Sequence, residues 1–197
     1  MSDVIDTLAG IAPGSPLDAI RNQRLQARTH AQASYDSLFK PKSEADASKA
    51  ERLAIACFVA GLHGRPESEG FYGTALAEAG APAAWKGAIA AAVASAKGQG
   101  PYGHYPKGPL SVEDKPGPLF KLSASERTVL GSRLAAAFEH THMLVFHPRD
   151  SAPPYLQVLI DAGWSTTGIV VISQLVAFLS YQIRVVAGLR ALKARPA

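Results

Sequence analysis

The chain of 197 residues contains a single cysteine, Cys57, and few aromatic or charged side chains, which make up 8% and 18% of it. One cysteine excludes an internal disulfide and any metal site built from several thiolates. The net charge of +4 is spread along the chain, so it marks no surface for nucleic acid. The sequence shows no basic and apolar leader, and a cytoplasmic location is therefore expected.

A long uninterrupted apolar run is also missing. The longest one, residues 168–181, is broken by Ser173 and Gln174. It is shorter than the ~20 residues that a membrane-spanning helix needs, so it predicts a buried helix and no membrane partner. Alanine, in contrast, is abundant, and hydrophobic residues make up 47% of the chain. This composition favours a single all-α domain of closely packed helices.

One pattern of acid, serine, tyrosine, leucine, alanine and glycine occurs twice at the same spacing. The first copy is Glu67, Ser68, Tyr72, Leu76, Ala79 and Gly80, and the second is Asp150, Ser151, Tyr155, Leu159, Ala162 and Gly163. Upstream of each copy a Ser-x-x-Glu motif, at Ser48 and at Ser123, precedes an apolar stretch. Such a motif predicts a helix that begins with a capping box. Two copies predict one domain with an internal pseudo-twofold repeat.

The repeat divides the chain into four segments of one domain, residues 1–197. Residues 1–47 form a helical N-terminal extension with one helix from Ser15 to about Phe39, residues 48–97 are repeat one, and residues 123–192 are repeat two. The segment between them, residues 98–122, contains too much glycine and proline to be helical. It is predicted to be a functional loop or a surface strap that packs its tyrosines.

Repeat two contains eight extra residues, 139–146, which predict a first helix about two turns longer than in repeat one. His140, His142 and His147 lie in or beside this insertion. On a helix His140 and His142 point in different directions, whereas His140 and His147 can share a face. We expect no metal site, but with neighbouring carboxylates these three histidines are the weak candidates for one.

The order of Glu51, Ala75-Leu76 and Ala79-Gly80 resembles the active-site frame of the carboxymuconolactone decarboxylase and alkylhydroperoxidase D family. Residues 178–189 are also similar to the last helix of its peroxidase-related members, and the resemblance covers about residues 48–192. It implies an alkylhydroperoxidase D-like all-α fold and a homo-oligomer, a dimer or a multiple of it.

The chain departs from this family where the family has two cysteines and a histidine. Repeat one has Arg65, Ser68 and Tyr72 at these positions, and repeat two has Pro148, Ser151 and Tyr155. Thiol peroxidase chemistry needs an attacking thiolate and a resolving partner, which neither repeat supplies. The resemblance therefore implies the fold without the redox function, and no cofactor is expected. Cys57 lies in an apolar stretch and is expected to be buried and inert.

Two hypotheses of function remain open. The first is an enzyme that performs acid–base chemistry on a small carbonyl or carboxylate substrate. Its catalytic residues are Glu51, His63 and Tyr72, and its substrate-binding residues are Arg65, Ser68 and Tyr155. The second is a non-catalytic binding or partner subunit, in which Glu51 is only a helix cap and Tyr72 only a core residue. A pocket in which Glu51 and Tyr72 converge favours the enzyme, and a packed site favours the partner.

Overall fold

The computed structural model describes residues 3–194, and in that range the regular secondary structure is helical apart from one isolated β-bridge. The prediction of an all-α protein is confirmed. The α-helices are α1 Val4–Ala9, α2 Pro16–Asn22, α3 Leu25–Phe39, α4 Lys49–Leu62, α5 Pro66–Glu78, α6 Ala83–Ser95, α7 Ala124–Phe146, α8 Pro153–Asp161 and α9 Thr166–Lys193.

Helices α4 and α7 begin with the predicted capping boxes. The Ser48 hydroxyl accepts a hydrogen bond from the Glu51 N–H at 3.2 Å, and the Glu51 carboxylate accepts one from the Ser48 N–H at 2.8 Å. Ser123 and Glu126 make the same pair of bonds, at 3.3 and 2.7 Å. Each box satisfies two donors that a helix N-terminus would otherwise leave unpaired.

The core is built around α4 and α9, which pack against each other. Eleven consecutive residues of α4, 52–62, are buried. Seven residues along the apolar side of α9 are buried as well: Ile169, Ile172, Leu175, Val176, Leu179, Ile183 and Val186. Helices α5, α6 and α7 surround α4, and α1, α3 and α7 contact α9. The C-terminal end of α4 and the middle of α9 border the site described below.

The single helix predicted from Ser15 to Phe39 is wrong, because α2 ends at Asn22 and α3 begins at Leu25. Arg24 interrupts it with non-helical backbone angles of φ −122° and ψ 58°. Ile20 of α2 is 45% exposed. The break bends the chain so that α1, α2 and α3 share a cluster of charged side chains. Helix periodicity does not predict such a break, because the break is a tertiary effect.

Arg28 on α3 is the centre of that cluster. Its guanidinium pairs with three carboxylates, those of Asp3, Asp6 and Asp18. At the other end of α1, the Arg190 and Lys193 side chains of α9 donate to the carbonyls of Leu8 and Gly10, at 3.2 and 2.5 Å. The N-terminal helices are thus bonded to the last helix of the chain.

Helix α7 has 23 residues and α4 has 14, as the insertion predicts. At Gly131 the backbone of α7 leaves the helical region, with φ 77° and ψ 160°, so that α7 is kinked there. A positive φ of this size favours glycine. Beyond the kink, the Trp164 indole N–H donates to the Arg133 carbonyl at 2.8 Å and so joins α7 to the start of α9.

Residues 98–122, here called the strap, cross the surface with a short 3₁₀ turn at Pro109–Glu113 and the isolated β-bridge between Gly103 and Lys115. The Tyr102 N–H donates to the carbonyl of Phe146 at 2.6 Å, and the Tyr102 ring packs 5.0 Å from that of His147. The Arg149 guanidinium lies 4.2 Å from the centre of the Tyr105 ring. The strap does pack its tyrosines, as predicted.

By length and composition α9 could cross a membrane, since its most apolar 18-residue window has a mean hydropathy of 1.8. Half of that window is nevertheless buried inside the fold. The core helix of a soluble protein passes the same test, so α9 does not indicate a membrane protein.

Candidate functional site

The carboxylate of Glu51 is fully engaged in structural bonds. One oxygen accepts from the N–H and hydroxyl of Ser48, and the other accepts from the Arg133 Nε at 2.7 Å. Arg133 also donates to the Asp46 carbonyl at 2.7 Å and stacks 3.8 Å from the Trp164 ring. Glu51 therefore ties the start of α4 to α7. Nothing in the sequence pattern pointed to Arg133 as its partner.

Tyr72 is a fully buried core residue. Its hydroxyl donates to the Gln182 side-chain oxygen of α9 at 2.5 Å, and its ring stacks on Phe39 with centroids 5.3 Å apart. Burial raises the pKa of the Tyr72 hydroxyl far above its ordinary value, although the bond to Gln182 opposes the shift. The group stays protonated at neutral pH and cannot act as a base there.

The three substrate-binding candidates lie in different surroundings. Arg65 is exposed just before α5, Ser68 is fully buried, and Tyr155 on α8 is 37% exposed. In the described part of the chain the Ser68 hydroxyl has no hydrogen-bond partner. Glu51 and Tyr72 bond to different partners, and neither residue borders any of the three cavities described below.

His63, the third catalytic candidate, does border a cleft. It caps the C-terminus of α4, and its Nε2 lies 3.2 Å from the Ser180 hydroxyl of α9. The cleft has a volume of about 630 Å³ and lies between these two helices, the end of α7 and the start of the strap. Its walls include His63, Gln99, Phe146, Val176, Ser180 and Arg184. We call it the His63 cleft.

The pKa of His63 is lowered to about 4, mainly by burial and in addition by the positive charges of Arg184 and Arg65. The imidazole is therefore neutral at pH 7 and has one nitrogen free to accept a proton. Arg184 lies one helical turn after Ser180 and is exposed at the cleft wall. A neutral base, a hydroxyl and a guanidinium thus share one cavity, which suits a small molecule with an anionic group.

The histidines of the insertion have structural surroundings. The His147 nitrogens face the Asp150 carboxylate and the Pro118 carbonyl, each at 3.0 Å, and His142 Nε2 lies 3.2 Å from the Ala96 carbonyl. Burial lowers the pKa of both His140 and His142 to about 4. Across residues 3–194, no three His, Cys, Asp or Glu side chains are grouped as metal ligands are.

His140 and Tyr155 border a separate small cavity of about 60 Å³ under the end of the strap. His140 is 5% exposed, and neither of its ring nitrogens bonds to another group of residues 3–194. A volume of this size can hold ordered water, which would satisfy the ring. The cavity is too small for an organic substrate, so it is not the candidate site.

Cys57 lies at the base of a third cavity, an apolar groove of about 860 Å³ between α5 and α6. Its side chain is 9% exposed, and burial raises the pKa of its thiol to about 12. A thiol with so high a pKa supplies almost no thiolate at neutral pH. We call this cavity the α5–α6 groove.

Comparisons with protein-family models, with curated proteins and with solved structures find no match.

Proposed function

We propose that this protein binds a small carboxylate- or carbonyl-containing molecule in the His63 cleft and acts on it by acid–base chemistry. In this proposal the scaffold is of the carboxymuconolactone decarboxylase and alkylhydroperoxidase D type, without its redox cysteines. The observation that supports the proposal best is the cleft of about 630 Å³ in which neutral His63 lies beside Ser180 and Arg184.

The cleft residues divide into an anchor and a base. Arg184 anchors the anionic group of the substrate, because a guanidinium pairs with a carboxylate through two parallel hydrogen bonds. Arg65 adds positive charge close enough to act on His63. His63 is the base, since its neutral ring can take a proton from a substrate held at the anchor. Glu51 and Tyr72 support the scaffold in this proposal and take no part in the chemistry.

Substrate binding also makes His63 a stronger base than it is in the free site. A base with a pKa of about 4 accepts protons poorly at pH 7. A bound carboxylate offsets the charges of Arg184 and Arg65 and favours the imidazolium directly, so it raises the pKa of His63. The bound pKa exceeds the free one, so binding takes up protons, and affinity increases as the pH falls between the two values.

A second function, that of a non-catalytic partner subunit, is favoured by a different observation. Glu51 and Tyr72 are both packed into structural contacts. The α5–α6 groove offers this alternative an apolar surface, and Lys86 is the one charged residue within Ala83–Ser95. In that case the His63 cleft binds no carboxylate.

Thermal unfolding in the presence of small mono- and dicarboxylates separates the two functions. We expect at least one carboxylate to raise the Tm of the wild-type protein, and this shift to be lost in Arg184→Gln. Arg24→Gln, which removes an exposed arginine outside the cleft, is the matched control and should keep the shift. Binding at the cleft would be refuted if carboxylates raised the Tm of Arg184→Gln and Arg24→Gln equally. It would also be refuted if no carboxylate of the panel raised the Tm of the wild-type protein.

A further inference from the structure

Ser180 differs from the other serine that borders the His63 cleft. Its hydroxyl has one hydrogen-bond partner in the described structure, the Nε2 of His63 at 3.2 Å. Ser173 lies two turns earlier on α9, and its hydroxyl donates to the Ile169 carbonyl at 3.0 Å. That bond is the usual one for a serine inside a helix. The bond of Ser180 leads out of its helix to a base 117 positions away in the chain.

The protonation state of His63 sets the direction of this bond. The ring is neutral at pH 7, and in the tautomer with its proton on Nδ1 the Nε2 accepts from the Ser180 hydroxyl. A hydroxyl bonded to a neutral imidazole is the arrangement that activates a serine nucleophile. The pair is half-buried at the cleft wall, so a substrate in the cleft can reach the hydroxyl oxygen.

We propose that Ser180 is a catalytic nucleophile and that the protein hydrolyses small esters that contain a carboxylate group. This inference rests on the proposed function, because it uses the same cleft, with His63 as base and Arg184 as anchor. To the proposed function it adds Ser180 as the nucleophile, ester hydrolysis as the reaction and small carboxylate-containing esters as the substrates. Arg184 lies one turn beyond Ser180, and its Nη1 is 3.5 Å from the Ser180 carbonyl. When the carboxylate of a small ester is bound by Arg184, the acyl carbon of the same molecule therefore lies near the Ser180 hydroxyl.

The reaction uses only the ester and water. The Ser180 oxygen attacks the acyl carbon while its proton passes to His63 Nε2, and the carbon–oxygen bond to the alcohol then breaks. The alcohol leaves with the proton from His63. A water molecule, deprotonated by His63, attacks the acyl-serine and releases the second carboxylic acid, and the serine recovers its proton.

The backbone at the start of the strap offers two candidate donors for the charge that develops on the acyl oxygen. Gly98 and Gly100 both border the cleft, and neither N–H donates to an acceptor in residues 3–194. Backbone N–H groups of this kind stabilise a tetrahedral oxyanion. A side chain at Gly100 would approach the Phe146 carbonyl to 2.8 Å, so this close passage of the backbone requires glycine.

The test compares the 4-nitrophenyl monoester of succinic acid with neutral 4-nitrophenyl butyrate as substrates. We expect the wild-type protein to hydrolyse the anionic ester faster, and Ser180→Ala to lose about a hundredfold or more of this rate. Ser173→Ala is the matched control and should retain the rate. In Arg184→Gln the preference for the anionic ester should disappear. As a measurement independent of any variant, a fluorophosphonate should modify the wild-type protein once, at Ser180, as peptide mass spectrometry would show.

The outcomes separate this inference from the proposed function. Ser180 is supported as the nucleophile if the Ser180→Ala variant loses hydrolysis while carboxylates still raise its Tm as they raise that of the wild type. Suppose that carboxylates stabilise the wild type, but Ser180→Ala hydrolyses the anionic ester as fast as Ser173→Ala does, or the fluorophosphonate modifies another residue. Ser180 is then not the nucleophile, and only the binding of carboxylates in the cleft is supported. Absence of both hydrolysis and modification in the wild type also overturns the inference, whatever the carboxylates do.

Discussion

At the scale of single residues, the histidines His63, His140 and His142 are the most informative about stability. Burial lowers the pKa of each to about 4, whereas an unfolded chain has a histidine pKa of about 6.5. Between these values the unfolded chain binds more protons than the folded one, so stability falls as the pH drops from about 6.5 to 4. Above pH 6.5 these groups contribute no pH dependence.

His140 provides the sharpest test of this effect, because its ring has no hydrogen-bond partner to lose among residues 3–194. We predict that His140→Leu leaves stability at pH 7.5 unchanged or increased, and removes about 2 kcal/mol of the loss between pH 6.5 and 4. Urea unfolding at pH 7.5, 5.5 and 4.5 measures both effects.

His142→Leu is the matched comparison, since it removes the Nε2–H donor that His142 gives to the Ala96 carbonyl. This variant should be destabilised at pH 7.5 by about 1–3 kcal/mol. A His140→Leu protein that is as unstable at pH 7.5 as His142→Leu would show that His140 makes bonds through water.

Glu51 and Glu126 offer a second comparison of single residues. Both close a capping box, but only Glu51 also pairs with an arginine, Arg133 at 2.7 Å. We predict that Glu51→Gln lowers the free energy of unfolding by about 1 kcal/mol more than Glu126→Gln does. Thermal or urea unfolding of the two variants checks this difference. Equal losses would mean that the bond to Arg133 contributes nothing to stability, and would return Glu51 to the list of functional candidates.

At the scale of elements, the strap is fixed by Asp150. The His104 N–H donates to one carboxylate oxygen at 3.0 Å, and His147 Nδ1 lies 3.0 Å from the other. Burial raises the pKa of Asp150, but these two bonds outweigh it and hold the pKa below its ordinary value. The carboxylate therefore remains ionised and bonded well below neutral pH.

We predict that Asp150→Asn loosens the strap, because the amide keeps the shape of the side chain but loses the charge that strengthens both bonds. Limited proteolysis should then cut within residues 98–122 faster than in the wild type. Asp161→Asn, a change at an exposed carboxylate on α8 that bonds to Gln157, is the control. Identical cleavage rates in all three proteins would show that Asp150 does not fix the strap.

The elements also show how far the sequence predicts the fold. Helices α4 and α7 begin where their capping boxes predict, because a cap is a bond between residues three positions apart. The breaks at Arg24 and Gly131 were missed, since they depend on contacts made across the fold. Local patterns therefore predicted the helices better than their interruptions.

The candidate site was predicted less well. His63 was named, but its partner Ser180 lies 117 positions away, and no pattern in the sequence links the two. Glu51 and Tyr72 were chosen from a family frame, and in the structure their polar atoms bond to Arg133 and Gln182. A frame of this kind gives the spacing of side chains along helices. It does not say which neighbours their polar atoms will meet.

At the scale of the whole molecule, the outer face of α6 is unusual for a protein surface. Its exposed residues are mostly alanine, and Lys86 is the one charged residue of the helix. The neighbouring α5–α6 groove is apolar, with Glu69, Glu78 and Lys86 among the residues that border it. Small residues let two helices approach closely, so this face suits packing against a second copy of the chain.

We predict that the protein forms a symmetric homo-oligomer, a dimer or a multiple of it, through α5 and α6. Light scattering after size exclusion should give at least twice the monomer mass at micromolar concentration. Ala91→Glu should reduce this mass to that of the monomer, because it places a charge on the exposed face of α6 without disturbing the core. Ala33→Glu introduces the same charge at an exposed alanine of α3 and should leave the mass unchanged.

A stable wild-type monomer contradicts the assembly itself. An oligomer that survives Ala91→Glu but dissociates in Ala33→Glu places the interface on the N-terminal helices, where the cluster of Arg28 and its carboxylates joins α1, α2 and α3.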